Sequence, residues 1–322
     1  MRNLLAAVVL AATATATVAA APVAVPAESA PRAAQTLLTR VTPAGKQLVA
    51  VGARGHILRS VDGEQWTQSP SPVNVLLTSV FFLDEQIGWA VGHDATILHS
   101  RDGGARWAVQ HFDPALNLPL LDVVFTSATR GVAIGAYGLM LETNDGGATW
   151  TRMESPLTEE GLHFNAVSPL GDGSLLMVGE QGMLARSTDE GRTWTRLASP
   201  YSSSLFAVVP DGGQGAVIGG LRGNVYRSDD VAAGTWTRVE LGGVESVFGM
   251  ARLADDRVGL VGLNASLQII AADGSVMRGA WSIANAQPGV ELGSLSGLAY
   301  WKDRIVSVGD AGVILWVPAA TP

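Results

Sequence analysis

Cysteine is absent from the 322 residues, which removes disulfides, thiolate nucleophiles, zinc ribbons and iron–sulfur ligation together. Charge is scarce as well. Only 16% of the residues are charged against 47% hydrophobic, the reverse of the composition that keeps a chain unfolded. Basic residues are the scarcer sign: 21 Lys and Arg stand against 29 Asp and Glu, giving a net charge of -8 and a pI near 5.1. A phosphate backbone needs clustered positive charge, so no nucleic-acid partner is expected. The five histidines (His56, His93, His99, His111, His163) form no pair at a spacing suited to zinc. No G-x-S-x-G elbow, phosphate loop or dinucleotide fingerprint occurs. Neither a metal nor a cofactor is expected.

Long apolar runs are missing too. The longest near the N-terminus, Leu4 to Ala12, is shorter than the roughly 20 residues that span a bilayer. With Arg2 before it and Val18-Ala19-Ala20 after it, this run reads as a cleaved signal peptide over residues 1–20. Val25-Pro26-Ala27 is a later alternative cleavage point. The mature chain is expected to be soluble and exported, to a periplasm.

Glycine is what the chain has in plenty, at 38 residues, and it is ordered. Segments such as VAVGARGHILRS, WAVGHDATILHS and VAIGAYGLMLET align on Gly52, Gly92, Gly135, Gly179, Gly219, Gly262 and Gly309. Recurrence every 40 to 47 residues, with several short strand-like runs per unit, is the pattern of β-propeller blades. The expectation is all-β: a single seven-bladed propeller over residues 36–318 that leaves no room for a second domain. Each unit reads as four strands, of which the first is exemplified by Leu120 to Phe125 and the fourth begins near a tryptophan. Trp66, Trp107, Trp150, Trp194, Trp236 and Trp281 hold that place. The last unit shows three strands, and the segment 21–35 is the candidate for the missing fourth, which would close the ring.

Between third and fourth strands lie SRDGGARW (Ser100 to Trp107), TNDGGATW (Thr143 to Trp150) and STDEGRTW (Ser187 to Trp194), with a shortened version around Asp62. A short Asp side chain here accepts backbone N–H groups while glycine supplies positive φ. Asp62, Asp102, Asp145 and Asp189, with Trp107, Trp150 and Trp194, are therefore assigned a structural role. An Asp that recurs blade after blade does not define one active site.

These turns resemble the Asp-box of bacterial neuraminidase-type (BNR) repeats. LLDVVF…GVAIGAYGLMLETNDGGATW and LLTSVFFLDEQIGWAVGHDATILHSRDGGARW resemble repeats of the photosystem II assembly and stability factor family. That resemblance implies a single seven-bladed propeller acting as a non-enzymatic assembly factor that holds membrane-protein intermediates. It also covers relatives from non-photosynthetic bacteria. The function expected is a protein-interaction or assembly role for a membrane or envelope complex, or for an inner-membrane transporter, by a monomeric ring.

An enzyme is the alternative, because sialidases carry Asp-boxes on propellers. A sialidase-like site would need an arginine cluster, a Tyr–Glu nucleophile pair and an acid/base Asp. Arg40 and Tyr300 are the residues to watch for it, although Arg40 also aligns with ordinary inner-strand positions in LLTSV and LLDVV. Glu159-Glu160 with His163, and Asp113 with His111, are further charged loop clusters. No residue is assigned as catalytic. The binding face is placed instead on the turns between second and third strands. Their flanks repeat while their tips do not: Arg54, His93, Asp94, Tyr137, Glu180, Gln181, Arg222, Asn264 and Asp310. Thr39, Thr78, Asp122 and Asn165 are placed in one register at the mouth of the central channel.

Overall fold

A computed structural model of the chain describes residues 23–277, 281–285, 289 and 291–319. The expected signal peptide lies outside the described residues. Among those described, the strands form seven four-stranded antiparallel sheets. Blade three shows the pattern: Leu120–Phe125 innermost, then Gly131–Gly135, Met140–Thr143 and Thr151–Arg152. The innermost strand of each blade touches that of the next all the way round, and blade seven touches blade one. The chain is a seven-bladed β-propeller.

The second strands are buried at every residue from Gly88 to Gly92 and from Gly131 to Gly135. This is why they read as continuous apolar runs rather than alternating ones. The apolar core is a set of seams between neighbouring blades. Val124 and Ile134 of blade three, for example, cluster with Phe164 and Met177 of blade four.

A bulge recurs where each first strand enters its sheet. Leu120 faces Gly135 and Asp122 faces Ile134, leaving Leu121 as the extra residue. The Gly135 backbone approaches so closely there that a Cβ would sit 2.3 Å from the Pro119 carbonyl oxygen. Its φ of -159° is ordinary extended backbone, so contact rather than conformation demands glycine. In blade five the equivalent is Gly220, opposite Leu205, one residue beyond the Gly219 aligned from sequence. The bulge also corrects the channel register. Thr39, Thr78, Asn165 and Ser296 are bulge residues, but Asp122 is one place further on and Leu121 takes the equivalent position. These polar bulge residues clasp the neighbouring blade: Thr39 Oγ1 donates to Leu77 O at 2.7 Å, and Thr78 Oγ1 to Leu120 O at 2.7 Å. Asn165 Nδ2 donates to Leu205 O at 2.8 Å, and Ser296 Oγ to Leu38 O at 2.9 Å.

The ring closes differently from the expectation. Gly312–Pro318 of blade seven is covered by Trp281–Ile283, not by the segment 21–35. Trp281 therefore belongs to blade seven and precedes the strands it joins; blade six ends in Val276–Met277. The chain from residue 23 to the single 3-10 turn Ala33–Gln35 forms no strand. It is a strap on blade one, with Ala27 N donating to Ser71 O at 3.0 Å and Ala30 N to Gln68 Oε1 at 2.8 Å. Ala33 is buried in the seam between blades seven and one. A strap cannot be told from a strand by composition alone, because both leave small apolar residues against the sheet.

The third-to-fourth turns carry the hydrogen bonds their sequence asks for. Asp145 Oδ1 accepts from Thr149 N at 2.9 Å and from Thr143 Oγ1 at 2.8 Å, while Gly147 N donates to Thr143 Oγ1 at 2.9 Å. Asp189, Asp102 and Asp62 repeat the arrangement on Thr193, Arg106 and Gln65. Trp107 Nε1 donates to Gly104 O at 2.9 Å. Trp150 and Trp194 bury theirs with no partner among the described residues.

These turns tie stability to acid. The Thr149 hydroxyl and N–H and the Thr143 hydroxyl outweigh burial and hold the Asp145 carboxyl at about 2. Burial pushes the Asp189 carboxyl up, but hydrogen bonds from Thr193, Ser187 and Arg192 outweigh it and hold that group at about 2 as well. A depressed folded-state pKa contributes stability that is present above the unfolded value of about 3.8 and lost as pH falls through about 2. The urea midpoint is expected to drop between pH 4 and pH 2, and to drop less in Asp145→Asn. Equal pH slopes for the two proteins would show that this turn does not carry the dependence.

Candidate functional site

In blades one to six the second-to-third hairpins are two-residue turns with positive φ at both central positions. In blade one these are Arg54 (φ 56°) and Gly55 (φ 69°), closed by His56 N donating to Ala53 O at 3.0 Å. Tyr137-Gly138, Gln181-Gly182 and Arg222-Gly223 follow the same plan, and Asp94-Ala95 and Asn264-Ala265 replace the glycine. Such a turn favours Asn, Asp or Gly at its first central position. Only Asp94 and Asn264 meet that preference. Arg54, Tyr137, Gln181 and Arg222 are held in the left-handed region without being the residues the turn would select.

The turns of blades one to four lean on the loop that enters the next blade. Gly55 N donates to Val75 O at 2.7 Å, Gly138 N to Leu162 O at 2.8 Å and Gly182 N to Ser203 O at 2.9 Å. The turns and the inter-blade loops thus form one continuous face, and the strands beneath make its geometry rigid. Tyr137 is 61% exposed, its ring edge-on to His163 at 4.6 Å. Arg54, His93, Gln181, Arg222, Asn264 and Asp310 are exposed, and Asp94 is half-buried. Glu180 and Asp310 are partly committed: Glu180 Oε2 accepts from His163 N at 3.2 Å, and Asp310 Oδ2 from Ser294 N at 2.8 Å. Val244, 75% exposed, and Leu263 add apolar surface that the sequence reading missed. Nothing in their local pattern separates them from buried neighbours.

The charged loop clusters have local work. Asp113 Oδ1 accepts from Ala115 N at 3.2 Å, His111 Nδ1 lies 2.7 Å from Ala95 O, and Glu160 pairs with Arg196. Among the described residues, no group of three or more His, Cys, Asp or Glu is placed to hold a metal ion.

Arg40, Asp122 and Tyr300 all line the central channel, in a cavity of about 290 Å³. They do not form a nucleophile pair. Tyr300 donates its hydroxyl to Asp303 at 2.9 Å. Burial and that carboxylate push the hydroxyl above its usual pKa, the wrong direction for a nucleophile.

Residues 110–263, from the fourth strand of blade two into the turn of blade six, match the sequence profile of the photosynthesis system II assembly factor YCF48. That stretch is similar to the photosystem II assembly factor family. Among solved structures, YCF48 bound to a D1 peptide is 18% identical with a TM-score of 0.67, over 89% of this chain and 94% of that one. YCF48 from Cyanidioschyzon merolae is 17% identical with a TM-score of 0.67, over 88% and 96%. Virginiamycin B lyase from Staphylococcus aureus is 12% identical with a TM-score of 0.72, over 89% and 96%. At these identities the likeness is one of fold, and the fold is shared by assembly factors and enzymes alike. No curated protein sequence matches.

Proposed function

We propose that this chain is a non-enzymatic propeller that docks a protein partner on its turn-and-loop face, as an assembly or accessory factor for a membrane complex or transporter. One observation carries the reading. Four equivalent turns hold Arg54, Tyr137, Gln181 and Arg222 in a conformation that favours Asn, Asp or Gly. The fold does not select these side chains, and they stand outward on a rigid ring, where binding residues sit best. The peptide named with the YCF48 structure supports a protein as the class of partner. The basic start and short apolar run ahead of Ala20 support export to a periplasm, where the ring acts as a monomer. The hydrogen bonding around Asp62, Asp102, Asp145 and Asp189 supports reading those turns as Asp-boxes with a structural role.

Affinity capture from detergent-solubilised envelopes tests the reading. The wild-type ring should retain a defined partner, and the triple variant Arg54→Ala, Tyr137→Ala, Arg222→Ala should weaken retention by at least about tenfold. Tyr and Arg are enriched among the few interface residues whose truncation costs about 2 kcal/mol or more. Retention unchanged by the triple variant, at an unchanged melting temperature, would move the partner off this face. The sialidase-like or glycan-binding alternative rests on Arg40, Asp122 and Tyr300 sharing the channel. It predicts Tyr300-dependent turnover, or binding, on a glycan panel.

A further inference from the structure

The residue following each bulge occupies one level of the channel. Blades one to three carry Arg40, Ser79 and Asp122 there, whereas blades four to seven carry Ala166, Ala207, Gly249 and Gly297. Polar side chains at this level come only from blades one to three; at blades six and seven the glycines let neighbouring innermost strands pack close, a Cβ at Gly249 falling 2.7 Å from the Ser296 carbonyl oxygen.

Three charged residues line the cavity; Arg252 is paired with Asp211 and Asp256, and the other two are treated differently. The Asp122 carboxylate is fully served. Its Oδ1 accepts from Ser79 Oγ at 2.7 Å and from Val123 N at 3.0 Å, and its Oδ2 from Val167 N at 3.0 Å. Two of those three donors are N–H groups on the lumen-facing edges of innermost strands, so this lumen satisfies an oxyanion with its own edges. Arg40 is the opposite case. It lines the same cavity, yet its side chain makes no hydrogen bond or ion pair among the described residues, with Asp122 or with any other group. Its neighbour at this level on blade seven is Gly297, which offers no side chain; a Cβ built there would stand 3.3 Å from the Arg40 Cα.

We infer that the channel is a binding site for a small oxyanion, a carboxylate or phosphate group held by the Arg40 guanidinium. The planar fork suits either group through two parallel N–H donors. The repeat places the N–H groups of Val41 and Val80, the equivalents of Val123 and Val167, on the lumen edge beside it. A cavity of about 290 Å³ is at the lower end of small-molecule sites, so the ligand is a compact molecule and not a folded chain. The site is separate from the turn-and-loop face and stands whether or not that face docks a protein.

The test titrates benzoate and inorganic phosphate into the mature protein, by calorimetry and by the Arg Nε–H signals in a 1H–15N spectrum. The Arg40 signal is assigned from its loss in Arg40→Lys. Saturable binding of at least one probe, with a shift of that signal, is expected. Affinity should fall by about tenfold or more in Arg40→Gln, less in Arg40→Lys, and not at all in Arg222→Gln. Benzoate alone binding assigns a carboxylate, and phosphate alone assigns a phosphate. Binding of neither probe, or binding that leaves the Arg40 signal in place, overturns the site. The wild-type spectrum decides this even if a variant fails to fold.

Discussion

Trp89→Ala should destabilise the ring by about 3–5 kcal/mol, the usual cost of emptying a fully buried aromatic position. Trp89 is 0% exposed and lies where two blades meet. Its ring stacks on Phe125 of blade three, with centroids 3.4 Å apart and planes 8° from parallel, and on His99 at 4.9 Å. Burial and the nearby Arg101 push the His99 imidazole below its usual pKa, which favours the neutral ring in this stack. Trp89 Nε1 donates to Gln110 Oε1 at 3.1 Å, and Gln110 Nε2 in turn donates to Gly146 O at 2.8 Å, in the Asp145 turn of blade three. Truncation therefore leaves a cavity, an unmatched Gln110 and a loosened neighbouring turn. Trp89→Phe keeps an aromatic ring in the stack but loses the N–H and part of the indole's volume, so it should cost less, about 1–3 kcal/mol. Urea unfolding of both variants checks the ordering. A loss below about 1 kcal/mol for Trp89→Ala would mean that the seam relaxes into the space.

How much of this was legible in the sequence follows from the range of the interactions. The blades were legible because each repeats a buried run ending in glycine and a two-residue turn, and the first four add an Asp before a Gly and a Trp. Turn chemistry is local, so the positions of Arg54, Tyr137, Gln181 and Arg222 on one face came directly from spacing. The bulge was not legible, because it depends on which residue opposes Gly135 across the sheet, and no pattern within one strand encodes that. One unseen residue displaced Asp122 by a place and hid its pairing with Ser79 and Val167. In blade five the doubled Gly219-Gly220 hid the same feature. Arg130 was missed for a related reason. It is 3% exposed and clasps blade four through its Nε–H to Glu190 O at 2.9 Å while pairing with Glu142. An arginine in a hairpin reads as solvated until its neighbouring blade is present.

The ring closure was the largest misreading, and it yields the second strong expectation: Ser282→Pro should open the ring. Ser282 is the middle residue of the closing strand and lies opposite Val317. The pairing continues beyond it, with Ala284 N donating to Leu315 O at 2.8 Å and Asn285 Oδ1 accepting from Leu315 N at 2.8 Å. Proline removes the central donor of this short ladder and its ring does not fit a paired strand. The lost and orphaned groups cost about 1–3 kcal/mol, and loosening Trp281 and Ile283, which pack with Trp316 and with Leu253 and Ile269 of blade six, adds to that. With the strand displaced, Gly312–Pro318 becomes an open sheet edge, a template for another chain. Hydrogen exchange should accelerate first at the Leu315 and Val317 amides, and the variant should self-associate as its concentration rises. Ser282→Ala, which keeps the donor, should behave as wild type. Deleting residues 23–30 should remove the strap from blade one yet leave the protection of Leu315 and Val317 in place. If the deletion exposed those amides and Ser282→Pro did not, closure would belong to the N-terminal segment after all.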